Sequence, residues 1–139
     1  MFKHIVAVIV LSLASVTAHA GSMGMDLKED WICMEGSDPV FYGETVKGGK
    51  VVQVCEAMDG QHVIYTFGKI GQTPELELSL DRSQVKVKNN AQVLELANGN
   101  TIYSMTDYPA ALTVRQNGKV LATIALKEYT VRQYIKFLN

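Results

Sequence analysis

The chain has 139 residues, 47% of them apolar and 19% charged, and 13 basic against 14 acidic side chains leave a formal net charge of −1. This balance argues against nucleic acid as a partner, because phosphate-backbone binding needs a concentrated basic surface. The short pairs Lys47/Lys50 and Lys86/Lys88 read as solvated faces.

The first twenty residues follow the pattern of an export signal. Lys3 and His4 give a polar start, Ile5 to Val16 is almost wholly apolar, and Ala18-His19-Ala20 supplies a small-x-small cleavage site. The apolar run is shorter than the about 20 residues a membrane-spanning helix needs. Residues 1–20 are therefore expected to be a signal peptide cleaved near Ala20, with the mature chain periplasmic or secreted. No cysteine sits at the cleavage site to carry a lipid, and no later segment reads as a membrane insertion. The remaining length suits one domain. Residues 21–30 read as a flexible lead-in with Met23 and Met25, and 31–139 as a single β-rich domain whose order starts near Trp31.

Cys33 and Cys55 both lie in the mature part. In an oxidising compartment their default state is a disulfide, and two separately buried thiols are the other reading. The only mature histidine is His62, so two cysteines and one distant histidine do not complete a zinc site. No metal and no cofactor are expected.

Phe41-Tyr42 reads as a short strand. Gly48-Gly49 turns into Lys50–Cys55, whose β-branched richness predicts a strand. Asp59-Gly60 reads as a tight turn leading into Gln61–Phe67, with Val63, Tyr65 and Phe67 on one face. After Pro74, Glu75–Leu80 alternates strictly, placing Leu76, Leu78 and Leu80 inward. Gln84–Lys88 alternates again before Asn89-Asn90. Val93–Leu96 and Thr101–Met105 follow around Asn98-Gly99-Asn100. Ala111–Arg115 and Val120–Ala125 flank Asn117-Gly118, a strong hairpin signal. From Lys127 to Leu138 the chain fits either a short helix, through Val131, Ile135 and Leu138, or a strand at Tyr129-Thr130-Val131. The expected fold is all-β, a small antiparallel sandwich or barrel of about seven or eight strands. Leu76–Leu80 or Gln84–Lys88, left at a sheet edge, could pair with a twin and form a homodimer.

Motifs of nucleophilic or phosphate chemistry are missing, and a triad could draw only on His62. Glu75 and Glu77 have the about 6.5 Å spacing common to any solvated strand face, and Glu29/Asp30 and Asp107/Asp59 point no more strongly to acid–base work. These features favour a binding or inhibitor module over an enzyme. The segment from Tyr103 to Pro109 breaks the alternation, carries Tyr103, Ser104, Asp107 and Tyr108, and ends in proline. It reads as a binding loop on a β scaffold, although tyrosines in such segments also serve as core or rim residues.

Val54-Cys55, Asp59-Gly60, Tyr65-Thr66-Phe67-Gly68, Pro74-Glu75-Leu76 and the hairpin Val114-x-x-Asn117-Gly118-Lys119 resemble the bacterial periplasmic lysozyme inhibitors, with the i-type inhibitors nearest. The resemblance spans Cys33 to Ala125. It implies a loop of Ser-Gly-x-x-Tyr type that plugs the lysozyme cleft, its Ser and Tyr bonding the catalytic carboxylates without covalent chemistry. Ser104 and Tyr108 have that spacing, while Met105 stands where the glycine should be. A binding module for another envelope protein or a small ligand is the alternative.

Overall fold

Alternating apolar and β-branched segments become strands through most of the chain. The computed structural model describes Cys33 and residues 36–134. Its strands are β1 (Asp38–Glu44), β2 (Lys50–Glu56), β3 (His62–Lys69), β4 (Leu76–Asp81), β5 (Val85–Lys88), β6 (Val93–Asn98), β7 (Thr101–Asp107), β8 (Ala110–Gln116), β9 (Lys119–Ala125) and β10 (Arg132–Gln133). They form two antiparallel five-stranded sheets, ordered β10-β1-β2-β3-β4 and β5-β6-β7-β8-β9. The all-β expectation is met, with ten strands among the described residues in place of seven or eight. The expected signal peptide, the lead-in and Trp31 fall outside the described residues.

Two corners carry the chain from one sheet to the other. Thr45 and Leu126 form an antiparallel bridge between the end of β1 and the end of β9. Since neighbours within each sheet are antiparallel, this bridge requires β4 and β5 to run in the same sense, and β9 and β10 likewise. Each of these pairs is one stretch of chain that leaves one sheet and enters the other across a 3-10 turn, Arg82–Gln84 or Glu128–Thr130. Strands that change sheet at a bend are the usual corners of crossed sheets. The C-terminal segment, open between helix and strand in the sequence, is thus a single 3-10 turn followed by a two-residue strand on β1, with Phe41 opposite Gln133. Residues 135–139 lie outside the described part.

The core lies between the sheets. Val52 and Val54 from β2, Val63 and Tyr65 from β3 and Leu80 from β4 meet Leu94, Leu96, Met105 and Leu112 from the second sheet, all buried. Phe67, Leu76, Leu78, Val85 and Val87 pack on their margin, as the period-two pattern requires. The Tyr65 and Tyr103 rings meet across this core at 4.9 Å between centroids.

Turn chemistry follows the residues. Asn117 and Gly118 both adopt positive φ, at 53° and 79°, the demand of a type I′ hairpin. The Asp59-Gly60 connection is longer than a tight two-residue turn, because strands end at Glu56 and resume at His62. Its cause is Asp59, whose carboxylate accepts the Gln61 N–H at 2.7 Å and the His62 N–H at 3.2 Å and so organises the loop itself.

Cys33 and Cys55 form a disulfide across 22 positions of sequence. Closing a loop of that length stabilises the fold by about 3 kcal/mol on the chain-entropy model. Cys55 lies with Tyr42 and Gln53 on the side of the first sheet away from the core, and all three are buried.

Gly68 stands where β3 passes the incoming Pro74-Glu75 backbone. A Cβ there would lie 2.8 Å from the Glu75 nitrogen and 2.9 Å from the Pro74 Cα, too close for either to remain in place. Gly68→Ala is expected to destabilise the domain by about 1–3 kcal/mol, measured as a lower urea midpoint at unchanged m-value.

Burial raises the Tyr65 pKa far above its ordinary value, and the nearby Tyr103 adds to the effect. The unfolded chain then ionises first, binds fewer protons than the folded one, and stability falls once pH rises above about 10. The slope attributable to Tyr65 is about 1.4 kcal/mol per pH unit. Tyr65→Phe is expected to flatten alkaline unfolding relative to wild type, read from urea titrations between neutral pH and pH 11.

Candidate protein-contact surface

β7 and β8 are joined by two residues only, Tyr108 and Pro109, with Asp107 opposite Ala110 and Thr106 opposite Ala111. The Tyr108–Pro109 peptide bond is cis. The Thr106 hydroxyl donates to the Pro109 carbonyl at 2.6 Å and closes the turn. Tyr108 is 85% exposed at its apex, the most exposed large apolar side chain among the described residues.

Neighbouring chain grips this tip on both flanks. On one, the Leu126 N–H donates to the Ala110 carbonyl at 2.9 Å. On the other, the Gln133 amide donates to Asp107 at 2.7 Å. Tyr134, directly after Gln133, bonds through its N–H to the Val40 carbonyl at 2.8 Å. The segment between Leu126 and Gln133 is thus fixed to the tip at both ends, and this part of the chain carries two further exposed tyrosines, Tyr129 at 79% and Tyr134 at 39% exposure. The other amide atom of Gln133, Oε1, is buried without a hydrogen-bond partner.

The four residues singled out from the sequence do not form one loop. Tyr103 to Asp107 belong to β7, and only Tyr108 and Pro109 are turn. Tyr108 projects from the apex and Asp107 anchors it. Tyr103 faces the core against Tyr65. Ser104 is buried on the opposite side of β7, 3.4 Å from Glu95 Oε2. Four residues of strand separate Ser104 from Tyr108, about 13 Å, so the two do not converge on one point. Met105, at the position of the glycine in the inhibitor pattern, is fully buried in the core. Segment 103–109 lost its alternation because both faces of β7 are occupied, by Met105 inside and by Ser104 under a lattice of charge outside.

Glu95 organises that lattice. Lys88 Nζ lies 3.1 Å from Glu95 Oε1, and Arg115 reaches Oε2 at 3.3 Å. Two cations on a largely covered carboxylate, with Ser104 between, make a structural brace. His62 sits at the start of β3, its Nδ1 2.8 Å from an Asp59 oxygen. Asp59 is held below the ordinary carboxylate range, first by the Gln61 N–H and then by the His62 ring, which is loop chemistry. Glu75 pairs with Lys50 at 3.0 Å. No cluster of three or more His, Cys, Asp or Glu suited to a metal occurs among the described residues. No helix among them is long and apolar enough to cross a membrane.

The roles of Gln133, Tyr129 and Tyr134 escaped the sequence reading. The ambiguous period of 127–138 concealed that the chain turns back across β1 there, and two tyrosines in a short C-terminal span, Tyr129 and Tyr134, were the available signal. No protein-family model, curated protein or solved structure matches this chain.

Gln133→Ala is expected to loosen the tip more than the fold. Losing a hydrogen bond to a carboxylate costs about 1.5–3 kcal/mol, offset in part by removal of the unpartnered Oε1. Hydrogen exchange should quicken at Asp107 and Ala110 while the β2 and β3 amides keep their protection.

Proposed function

We propose that this domain is an exported protein-binding module that inhibits a lysozyme, most simply an i-type enzyme, by inserting the β7–β8 tip into its cleft. The observation that carries this reading is Tyr108, 85% exposed at the apex of a two-residue turn anchored at Asp107 and Ala110. A large aromatic ring on an anchored tip loses little conformational freedom on binding, which favours such residues as interface hot spots. A convex tip suits a concave partner, and blocking a cleft needs neither a nucleophile nor a cofactor. The disulfide supports an oxidising compartment, in keeping with an export signal and a periplasmic or secreted location.

The plug differs from the one implied by the resemblance. Ser104 is buried and engaged with Glu95, so the tip contact rests on Tyr108. The mature protein, titrated against i-, c- and g-type lysozymes acting on bacterial cell walls, is expected to inhibit the i-type stoichiometrically. Tyr108→Ala should weaken inhibition by about thirtyfold or more, the scale of a hot-spot loss, while Ser104→Ala should inhibit like wild type. Absence of inhibition of all three types, or full inhibition by Tyr108→Ala, overturns the reading.

A further inference from the structure

The two sheets leave four edges, β10 and β4 in the first and β5 and β9 in the second. An edge strand offers unpaired backbone groups to another chain unless charge, shortness, a bulge or cover blocks it. β10 is two residues long. β4 carries Glu77 and Asp81, and β5 carries Lys86 and Lys88, all exposed. β9 is different: its one charged residue, Lys119, stands at its first position, and Val120 and Leu121 are 56% and 57% exposed.

We propose that β9 is a self-association edge, pairing antiparallel with β9 of a second copy to join two second sheets into one. A twofold pair sets each edge against itself. Applied to β4 this opposes carboxylates, and applied to β5 it opposes lysines, each destabilising when directly across. Applied to β9 it opposes no charges. The backbone is oriented for the contact as well. The Ala125 carbonyl points away from β8, where it accepts the Val46 N–H at 2.9 Å. Thr123, two residues earlier, therefore presents its N–H and C=O on that same outward side. Val46 covers the edge at Ala125, which limits pairing to the stretch before it and sets Leu121 opposite Thr123 of the partner subunit. The register shift between β8 and β9 at Val114/Arg115 inserts Leu121 as an extra residue, a bulge that narrows the regular edge to the residues between it and Ala125 and leaves an apolar side chain beside the twofold axis. This edge is separate from the Tyr108 tip, so the inference does not depend on the lysozyme reading.

Sedimentation velocity of the mature protein over a concentration series tests it, with circular dichroism to verify folding. Wild type is expected to form dimers. Thr123→Pro deletes only an outward N–H, a position where an edge strand tolerates proline, and should weaken dimerisation by at least about tenfold, the loss of roughly 1.4 kcal/mol. Leu121→Lys, which sets two like charges beside the axis, should do the same. Lys86→Glu on β5 and Tyr108→Ala at the tip should dimerise like wild type. A wild-type monomer at every concentration, or a dimer that survives both β9 substitutions, overturns the proposal.

Discussion

The antiparallel bridge between Thr45 and Leu126 is the contact on which the rest of the architecture turns. Around it the Val46 N–H bonds Ala125, the Lys127 N–H bonds Glu44, and the Glu44 N–H bonds the Thr130 hydroxyl, at 2.9, 2.8 and 3.0 Å. Thr130 is buried and also donates to Lys127 at 2.7 Å, so one hydroxyl caps both strands at the corner. These bonds join the sheets along one side and direct the chain from the second sheet onto β1. Without that crossing, Gln133 would not reach Asp107, and the Tyr108 turn would end a free hairpin. The site thus depends on a corner formed by residues 44–46 and 125–130, distant from it in sequence on one side.

Burial in this domain extends beyond the interior between the sheets. Tyr42, Gln53 and Cys55 are buried on the first sheet's other side, and Ser104 on the second's. The two sides achieve it differently. On the first sheet, Cys55 is covalently tied to Cys33 and Gln53 lies alongside it, 3.5 Å from its sulfur. On the second, Glu95 draws Lys88 and Arg115 over the strand centre. Exposed ion pairs contribute little; the Glu95 side chain keeps only 13% exposure, so leaving it without either cation would cost more than the pairs gain at the surface. A small serine at position 104 fits beneath this brace.

Much of the fold was legible because period two is a local property. Leu76, Leu78 and Leu80 face inward as their alternation with Glu77 and Ser79 required, and Asn117-Gly118 makes the hairpin that its positive-φ pair allows. The Cys33–Cys55 bond matches the default for an oxidising compartment. What could not be read depends on contacts between remote segments. Nothing in Arg132-Gln133 announces a strand of two residues, since it exists only because β1 supplies the ladder. Segment 103–109 looked like a loop because Met105 and Ser104 are each buried on opposite faces, and a strand buried on both sides shows no alternation. Tyr108 is the apex of the β7–β8 turn, while Ser104 lies back along the strand: spacing in sequence becomes distance along a strand, not convergence.

The distribution of charge separates the edges. Residues 38–81 carry seven carboxylates and three lysines, whereas residues 82–134 carry seven basic side chains and three carboxylates. The halves meet at the Arg82–Gln84 corner, where Arg82 reaches back to Glu56 and to the Gly60 carbonyl of the first sheet and the Gln84 amide donates to the Ala97 carbonyl of the second, so the corner without a strand bridge is tied to both sheets by side chains. The same segregation places one sign of charge on β4 and the other on β5. Each of those edges repels its own copy, and both remain bounded by charge toward an apolar strand. β9 lies far from this division in sequence, and its one charge, Lys119, stands at its first position, clear of the stretch beside Ala122. Its protection on the first sheet's side is the loop at Val46, which covers Ala125 and stops there. A fold that guards two edges with charge, reduces a third to two residues and covers only one end of the fourth leaves a single place where backbone pairing meets no electrostatic resistance. That place lies on a different strand from the anchored tyrosine tip, so association through β9 and recognition through Tyr108 make separate demands on the domain.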